Sequence, residues 1–456
     1  MEACIDISSL LENTASRIVS DFSEDQLRKI HNCDVVLMCK WGCDGLSALP
    51  EYKQACGSRT LADYKSVFMS SLVPLRIRSY SLNPSSSSIG NSFEDIWINT
   101  TPGSKNFCRP IGFEYIKESK KTTKDLVEYL KDEINALEPI CIKIKEFSIN
   151  VSYQLSLTMI DGKVSNAITE TSSFWRCSIC NEKKSQFSNI NKSRSINEEV
   201  LSFGISPLHA RIRFLDYFLH IAYDLKYRSV PENLTKSTKN NEELKELRAA
   251  EKSRIQEEFK VQMGLNIDKP LPSCGSTNDG NTARRFFRDF EITSKITGID
   301  KELLRRVNTI LMALNSKHKI NGNRFGEYTS EISKLLVSLY PWRELTPTVH
   351  KVLCHGQIII ESNILPLGEL TEEAQEARNR DFKHVQLFSS RKCSRQSQNE
   401  DIFNSLLLSS DPVLSTMRKR WICYETLSSQ NKEDLKDLYY LLDMYTDMTD
   451  YFIENK

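Results

Sequence analysis

The sequence predicts an α+β fold in which strands come first and helices follow. Three segments in the first hundred residues are apolar and bounded by turn residues, as strands are: 33–44, 67–79 and 94–100. A fourth segment, 151–161, alternates between apolar and polar residues, which is typical of a half-buried strand. After about residue 165 the apolar residues recur at helical spacing instead. The chain therefore divides into a strand-rich part and a helix-rich part.

The composition is that of a globular protein. The 456 residues are enough for two or three domains, or for one domain with a large insertion. Hydrophobic residues make up 39% of the chain, yet no apolar run is long enough to predict a membrane span. The N-terminus lacks the features of a secretory signal. The 13 cysteines are scattered, which suits a reducing compartment. A net charge of +1 restricts any nucleic-acid surface to local patches.

The predicted helices carry recognisable start signals. Residues 1–30 read as helix, and 122–137 is an amphipathic segment that opens with a threonine cap. Ser206 followed by Pro207 marks the start of a helix over 206–225. Helical periodicity predicts six further helices: 242–260, 301–314, 326–340, 346–360, 370–382 and 432–448.

Two cysteines, Cys177 and Cys180, form a Cys-x2-Cys pair that is half of a candidate zinc site. A structural zinc takes four ligands, so a second pair is needed. His350 and His355 stand near a helix end and can supply it, with Cys354 as a competing ligand. The alternative is a metal-free knuckle and two ordinary helix histidines. A shared zinc would fasten the start of a long helical insertion to its end.

Acidic residues close two of the predicted strands, Asp44 the first and Asp161 the last. A third acid is expected beyond the helical part, where Glu372, Glu373 and Glu376 share a helix. Three such carboxylates could hold two divalent cations about 4 Å apart, an arrangement that cleaves phosphodiesters. Hard oxygen ligands favour magnesium or manganese. Taken singly, each acid is more typical of an ordinary strand end or helix start.

Six longer blocks resemble one family. They are "CKWGCDGLSALPEYKQ", "MIDGKVSNAITETSSFWRCSIC", "FGISPLHARIRFLDYFLHIAYDL", "NDGNTARRFF", and "YPWRELTPTVHKVLCHG" followed by "LPLGELTEEAQEARNRDF". Together they are similar to the Transib-family DNA transposases, which are related to the catalytic subunit of the V(D)J recombinase of jawed vertebrates. The resemblance runs from about residue 33 to residue 415.

The resemblance implies an RNase H-like domain interrupted by a large, mostly helical, zinc-binding insertion. The implied parts are a short N-terminal helical segment, the first part of the RNase H-like domain, the insertion, the closing helix with the third acid, and a C-terminal helical segment. Their bounds are 1–32, 33–165, 166–365, 366–415 and 416–456.

The resemblance also assigns the site residues. The catalytic acids that bind two Mg²⁺ or Mn²⁺ ions fall on Asp44, Asp161 and Glu376. Glu376 is chosen because it stands just before an Arg/Asn pair, as the family's glutamate does, and Glu373 is the fallback. One structural Zn²⁺ falls on four residues: Cys177, Cys180, His350 and His355.

The implied activity is that of a nuclear DDE-type transposase. Water nicks beside a transposon end, the freed 3′-hydroxyl forms a hairpin on flanking DNA, and the transposon ends join target DNA. The partners are double-stranded DNA and a second copy of the chain, with no membrane, and the need for an accessory subunit stays open. The alternative is a domesticated or truncated, non-catalytic DNA-binding or dimerising derivative. Only 43 residues precede Asp44, fewer than the family's end-recognition region requires.

Two basic stretches are the predicted DNA contacts. A solvated charged face is the alternative reading of both. Leu46, Leu49 and Pro50 are expected in a loop beside the metals. The predicted phosphate-binding residues are Arg284, Arg285, Arg378, Asn379, Arg380, Lys383, Arg391 and Lys392.

Overall fold

The computed structural model describes most of the chain, and the predicted α+β class is confirmed. The described residues are 3–47, 49, 65–80, 93–171, 173, 175–189, 194–226, 238–271 and 275–419. The predicted helix 432–448 and Pro50 lie outside them. Within the described ranges, no helix combines the length and the apolar character needed to cross a membrane.

The chain forms two compact units. The first takes the described residues of Met1–Glu170 and of Glu369–Thr426, and the second takes those of Thr171–Gly368. The first unit is thus discontinuous in sequence, and the second lies between its two parts. From the sequence, the corresponding boundaries between the two parts were predicted after residues 165 and 365.

The first unit contains a mixed sheet of seven strands. In chain order they are β1 (Ala3–Cys4), β2 (Asp34–Leu46), β3 (Val67–Tyr80), β4 (Phe93–Ile98), β5 (Arg109–Glu114), β6 (Ile140–Ile144) and β7 (Phe147–Leu157). The order in the sheet is β1-β5-β3-β2-β7-β6, and β4 pairs with β3. The pairing of β2 with β7 is parallel, whereas the other pairs are antiparallel.

Helices fill the rest of the described chain. In the first unit before residue 171 they are α1 (Ile7–Ser20), α2 (Glu24–Ile30), α3 (Lys120–Asn135) and α4 (Gly162–Ile168). The second unit holds α5 (Pro207–Leu225), α6 (Thr238–Met263), α7 (Gly280–Arg288), α8 (Phe290–Thr297), α9 (Lys301–Asn315), α10 (Gly322–Leu339), α11 (Pro347–His350) and α12 (Gly356–Ser362). The first unit resumes with α13 (Glu373–His384), α14 (Arg395–Ser409) and α15 (Pro412–Lys419).

The predicted strands correspond to β2, β3, β4 and β7, but one end was wrong. Strand β7 stops at Leu157, and Asp161 instead caps the N-terminus of α4. Strand β5 was missed because Pro110 and Gly112 interrupt its apolar pattern. Pro110 lies at a β-bulge, where the register against Ser70 and Ser71 of β3 shifts and Ile111 is the extra residue of β5; bulges are among the positions in sheets where proline occurs.

A hydrophobic core joins the sheet to α13 and α14. The ring centroids of Phe113 on β5 and Phe382 on α13 lie 5.0 Å apart in an edge-to-face contact, which is a favourable aromatic geometry. Leu46 and Leu49 belong to this core. The expectation that Leu46 stands in a loop was wrong, since it is the last residue of β2. Leu49 lies after the strand, outside any helix or strand, and both side chains are buried.

The second unit is organised around α5. As predicted, Ser206 caps this helix, its hydroxyl accepting the N–H of His209, and Pro207 opens the first turn. The buried side of α5 includes Phe218, which meets Phe287 of α7 at 6.0 Å between ring centroids. Helices α7 and α8 were not predicted from the sequence.

Candidate functional site

Cys177, Cys180, His350 and His355 come together in the second unit. One ligand atom from each lies within 4.8 Å of all the others, and the described residues contain no second group of three or more such ligands. Cys177, His350 and His355 are buried. Cys354, the competing ligand, is not part of the group. Two thiols and two imidazoles in this compact arrangement fit a tetrahedral zinc ion.

A tight knuckle presents the two cysteines. The N–H of Asn181 donates to the carbonyl of Cys177 at 2.8 Å, and the N–H of Cys177 donates to the carbonyl of Glu182 at 3.1 Å. Asn181 has a φ of +56°, which asparagine adopts more readily than most residues. A buried ion pair between Glu182 and Arg194, at 2.8 Å, supports the end of the knuckle. The backbone therefore holds both sulfur atoms on one side of the turn.

A π-helical turn brings the two histidines together. Residues five apart point about 140° away from each other on a regular α-helix. Here the predicted helix 346–360 is interrupted by a π-turn over Lys351–His355, in which the wider winding closes i→i+5. The ring centroids of His350 and His355 lie 4.9 Å apart. On a regular α-helix the two side chains would point apart. The π-turn therefore brings them to the same side of the helix, where both can bind one metal ion.

The surroundings favour the metal-binding protonation states of two of the four side chains, His350 and Cys177. Burial lowers the pKa of His350, which keeps its imidazole neutral. The hydrogen bond between the two cysteines lowers the pKa of Cys177 and raises that of Cys180. The ring of Phe187 stacks on His350 at 4.1 Å between centroids and fixes its orientation. A neutral imidazole and a ready thiolate are the forms in which these side chains bind metal.

The parallel pairing of β2 and β7 brings the chain after each strand to the same edge of the sheet. The N–H groups of Thr158 and Met159 both donate to the carbonyl of Trp41, each at 3.1 Å. A Cβ atom added to Gly42 would lie 2.0 Å from the Met159 carbonyl oxygen, so the two backbones are in close contact. Asp44 follows this contact within β2, and Asp161 follows it at the N-cap of α4.

Glu118 is a third acid at this edge, and it was not predicted from the sequence. A Cβ added to Gly45, the neighbour of Asp44, would lie 2.5 Å from Glu118 Oε2. Lys163 donates to the same oxygen at 2.6 Å, whereas Oε1 is buried and has no hydrogen-bond partner. Burial raises the pKa of Glu118, and the nearby Asp161 carboxylate raises it further. In the sequence, Glu118 is an acid that follows β5 by a few residues. This signal was missed because β5 itself was not predicted.

Helix α13 runs alongside β2, and three contacts follow one another in the same order along the helix and the strand. At its start the Lys40 ammonium donates to the carbonyl of Thr371 at 2.6 Å, and further on the Ser71 hydroxyl, beside Gly42, donates to Gln375. At the far end Asn379 donates to Asp44 Oδ2 at 2.6 Å. The register holds because four strand residues span about 13 Å and eight helix residues span about 12 Å.

This register bears on the choice between Glu373 and Glu376. Glu376 stands one turn before Asn379, the residue that contacts Asp44. Glu373 lies near the other end, where its Oε2 would be 2.9 Å from a Cβ added to Gly103. Asp44, Asp161 and Glu376 do not form a ligand group as compact as the Cys/His cluster. Instead Asp44 accepts from Asn379, and Asp161 Oδ1 accepts the N–H groups of Lys163 and Val164 at 2.9 and 2.8 Å.

Lys40 is buried beneath the start of α13. Its ammonium donates to the carbonyls of Glu369 and Thr371, at 2.7 and 2.6 Å. Burial lowers the pKa of Lys40 to about 7, because removing the ammonium from water disfavours the charged form. The side chain is fully inaccessible to solvent. Lys40 therefore anchors the chain just before the helix that carries Glu376.

A Lys40→Met variant is expected to show how the stability of the protein depends on this pKa. Lys40 titrates near pH 7 in the folded protein, whereas an unfolded lysine titrates near 10.4. Between these values the unfolded state binds more protons, so the free energy of unfolding rises with pH. From pH 7 to 9 the wild type should gain about 2 kcal/mol relative to the variant. Urea denaturation at both pH values measures the difference.

The control for this prediction is Lys131→Met, at an exposed lysine of α3. Its unfolding free energy should change with pH in parallel with that of the wild type. Equal pH dependence of the wild type and Lys40→Met would show that Lys40 is not titrated in this range.

Two of the predicted DNA contacts are interior residues. Arg378 is completely buried, and its guanidinium donates to Ser409 Oγ at 2.9 Å and to the carbonyl of Lys105. Asn379 is 6% exposed and bonded to Asp44. Neither side chain offers a surface to a phosphate in this conformation, so we do not retain them as DNA contacts.

The other predicted contacts differ in how they are engaged. Arg284 and Arg380 are exposed and Lys383 is half-buried. Arg284 also donates to Asn281 Oδ1 at 3.1 Å. The remaining three make hydrogen bonds or ion pairs: Arg285 with the carbonyl of Met263, Arg391 with Asp401 at 2.9 Å, and Lys392 with the carbonyl of Gln386 and with Ser390 Oγ.

The described chain is thus an α+β protein with a Cys2His2 cluster in one unit and an acidic sheet edge in the other. Compared with known proteins, it matches no protein-family model and no curated protein significantly. The family resemblance therefore depends on the sequence blocks, and the activity it implies is a proposal.

Proposed function

We propose that the protein is a DNA transposase of the DDE type, which cleaves and joins DNA strands with two divalent cations. The observation that carries the proposal is the sheet edge at which Asp44, Asp161 and Glu118 meet beside the helix bearing Glu376. The pKa of the buried Cys43 thiol is raised first by burial and then by the charges of Asp44, Glu118 and Asp161, so all three carboxylates lie within electrostatic range of one point.

The topology of the first unit supports an RNase H-like catalytic domain. One acid, Asp44, lies near the end of β2, and Asp161 follows the neighbouring parallel strand β7. The third acid is carried by a helix that packs on the same sheet, in register with Asp44. The chain leaves this unit after Glu170 and returns at Glu369, which supports a helical insertion. The Cys2His2 cluster joins residues near the beginning of that insertion to residues near its end, as a zinc fastening would.

The residues fit the cations that the proposal requires. Asp44, Asp161 and Glu376 would hold two Mg²⁺ or Mn²⁺ ions, and the unpartnered Glu118 Oε1 would offer one more oxygen of the hard type these ions prefer. When bound, such ions activate the attacking oxygen and stabilise the leaving oxygen of a phosphodiester. Cys177, Cys180, His350 and His355 would hold a zinc ion that stabilises the fold.

Neighbouring residues prepare the acids for this role. Asn379 orients Asp44 through one carboxylate oxygen. The N–H groups of Lys163 and Val164, in the first turn of α4, fix the orientation of the Asp161 carboxylate. Lys163 balances the charge of Glu118. Lys40 anchors the start of α13 and thereby sets the position of Glu376 along β2. The protein is proposed to act on double-stranded DNA in the nucleus as a homodimer.

Nicking of duplex DNA tests the activity. Purified full-length protein, incubated with supercoiled plasmid and Mn²⁺, is expected to produce nicked circles, and chelation of the Mn²⁺ by EDTA should stop the reaction. A catalytically inactive sample, prepared identically from the Asp44→Asn variant, excludes a contaminating nuclease. No nicking by zinc-loaded protein that binds the same DNA would overturn the catalytic proposal.

DNA binding is expected to depend on two basic residues of α13, the exposed Arg380 and the half-buried Lys383. Replacing Arg380 and Lys383 together by glutamate should weaken binding to all duplexes and reduce the salt slope by about 2, because each phosphate contact releases counterions. Fluorescence anisotropy over a series of salt concentrations measures both effects. The matched control is Lys131→Glu with Lys143→Glu, two exposed lysines of α3 and β6. Equal losses in the two double variants would indicate a nonspecific charge effect.

A second function is favoured by a different observation. Asp44, Asp161 and Glu376 are not gathered into a compact ligand group, and Asp44 and Asp161 are engaged by protein donors. These contacts also suit a non-catalytic DNA-binding derivative in which the acids serve the fold. Such a protein would bind duplex DNA with the same salt dependence but would nick it in neither Mg²⁺ nor Mn²⁺.

A further inference from the structure

A cleft in the first unit has the features of a small-molecule site, and the proposed reaction does not use it. Its volume is about 540 Å³, within the range of ligand pockets. Residues at the N-terminal side of α1, at the start of β5 and at the C-terminal end of α14 line it. Among them are Ile5, Asn13, Arg109, Leu407, Leu408 and Asp411.

Arg109 gives the cleft a buried positive charge. The residue is 4% exposed, and its Nη2 donates to Asn13 Oδ1 at 3.0 Å. Among the described residues its Nε and Nη1 have no hydrogen-bond partner. Buried N–H donors without a partner cost free energy, which an acceptor would recover. Burial lowers the pKa of Arg109 to about 10, so its guanidinium remains charged at neutral pH.

The neighbouring charges do not neutralise Arg109. The carboxylate of Asp411 is the acid at the rim of the cleft, and Arg17 already engages both of its oxygens, at 2.8 and 2.9 Å. The guanidinium groups of Arg17 and Arg109 thus have one nearby carboxylate between them, that of Asp411, and of the two only Arg17 is hydrogen-bonded to it. A bound anion would balance this charge and form the charge-assisted hydrogen bonds that arginine makes well.

The walls of the cleft add an apolar component. Ile5 and Leu407 are partly buried, and Leu408 is 66% exposed. An exposed leucine beside a buried arginine suits a ligand with a charged head and an alkyl tail, because covering apolar surface is favourable. A DNA phosphate lacks such a tail.

We propose that this cleft binds an organic anion with an apolar tail. The anionic head lies against Arg109 and the tail covers Ile5, Leu407 and Leu408. A carboxylate and a phosphate monoester share this chemistry, so octanoate and octyl phosphate serve as the two probes. Acetate and 1-octanol are the controls that lack the tail and the charge, respectively.

Calorimetric titration of the full-length, zinc-loaded protein tests the proposal. At least one probe should bind about tenfold or more tightly than acetate and 1-octanol, and the tighter of the two identifies the head group. Leu408→Glu, which adds a repelling charge at an exposed position, should weaken binding by about tenfold or more. Leu247→Glu, at an exposed leucine of α6, should leave it unchanged.

Arg109→Met should abolish the preference for the anions over 1-octanol. If circular dichroism shows that this variant does not fold, the result with Leu408→Glu decides. The proposal is overturned if neither probe saturates the protein in the millimolar range, or if Leu408→Glu binds the probes as the wild type does. Competitive displacement of the bound probe by a short DNA duplex would also overturn it, since the cleft would then be a DNA contact.

Discussion

Replacing Cys177 by serine is expected to release zinc and unfold the second unit. The purified wild type should carry one zinc per chain, held by the four clustered side chains. Structural zinc sites in small peptides bind with an apparent ~10–16 kcal/mol, which is folding free energy. Loss of the ion from this larger unit should therefore cost more than about 4 kcal/mol and lower the melting temperature. Elemental analysis and thermal denaturation measure the two effects.

The matched control for this prediction is Cys354→Ser. Cys354 lies one residue before His355, but it is outside the ligand group, and burial raises the pKa of its thiol to about 11. This variant should keep a full equivalent of zinc and a melting temperature close to that of the wild type. His355→Ala should behave like Cys177→Ser. Full zinc content in Cys177→Ser, or a loss of zinc only in Cys354→Ser, would refute the Cys2His2 assignment.

The Asp44→Asn substitution is expected to eliminate DNA nicking without loss of the fold. Asparagine fills the same space and still offers an oxygen to Asn379 Nδ2, which now donates to Asp44 at 2.6 Å. Removing one charge from a two-metal site should lower the rate by about 10³-fold or more, or ~4 kcal/mol of transition-state stabilisation. Asp161→Asn and Glu376→Gln should have similar effects. Nicking rates, zinc content and DNA affinity should be measured on each variant.

Glu373→Gln is the control that tests the choice of the third acid. Glu373 lies beside Gly103 and away from the Asn379–Asp44 contact, so its substitution should leave the nicking rate within a few-fold of the wild type. Glu118→Gln tests the additional acid, and a rate between those of the wild type and Asp44→Asn is expected. An inactive Glu373→Gln together with an active Glu376→Gln would transfer the catalytic role to Glu373.

Local sequence patterns predicted the elements whose signals lie within a few residues. The apolar runs of β2 and β3, the alternation of β7 and the Ser206–Pro207 start of α5 are of this kind. Strand β5 was not predictable in this way, because its proline and glycine break the local pattern and its pairing with β3 includes a register shift that leaves Ile111 as an extra residue in β5. The end of β7 was also misjudged, since an acid after a strand and an acid at a helix N-cap look alike in sequence.

The same division holds for the candidate sites. The sequence by itself determined the four zinc ligands as residue types and, through the family resemblance, their pairing, because Cys-x2-Cys is a local pattern. Only the tertiary structure decided that His350 and His355 share a face, since that depends on a π-turn. It also brought Glu118 to the acidic edge and buried Arg378, a basic residue that its sequence context had assigned to the surface. These outcomes depend on contacts between residues far apart in the chain, which set burial and proximity and which no local pattern encodes.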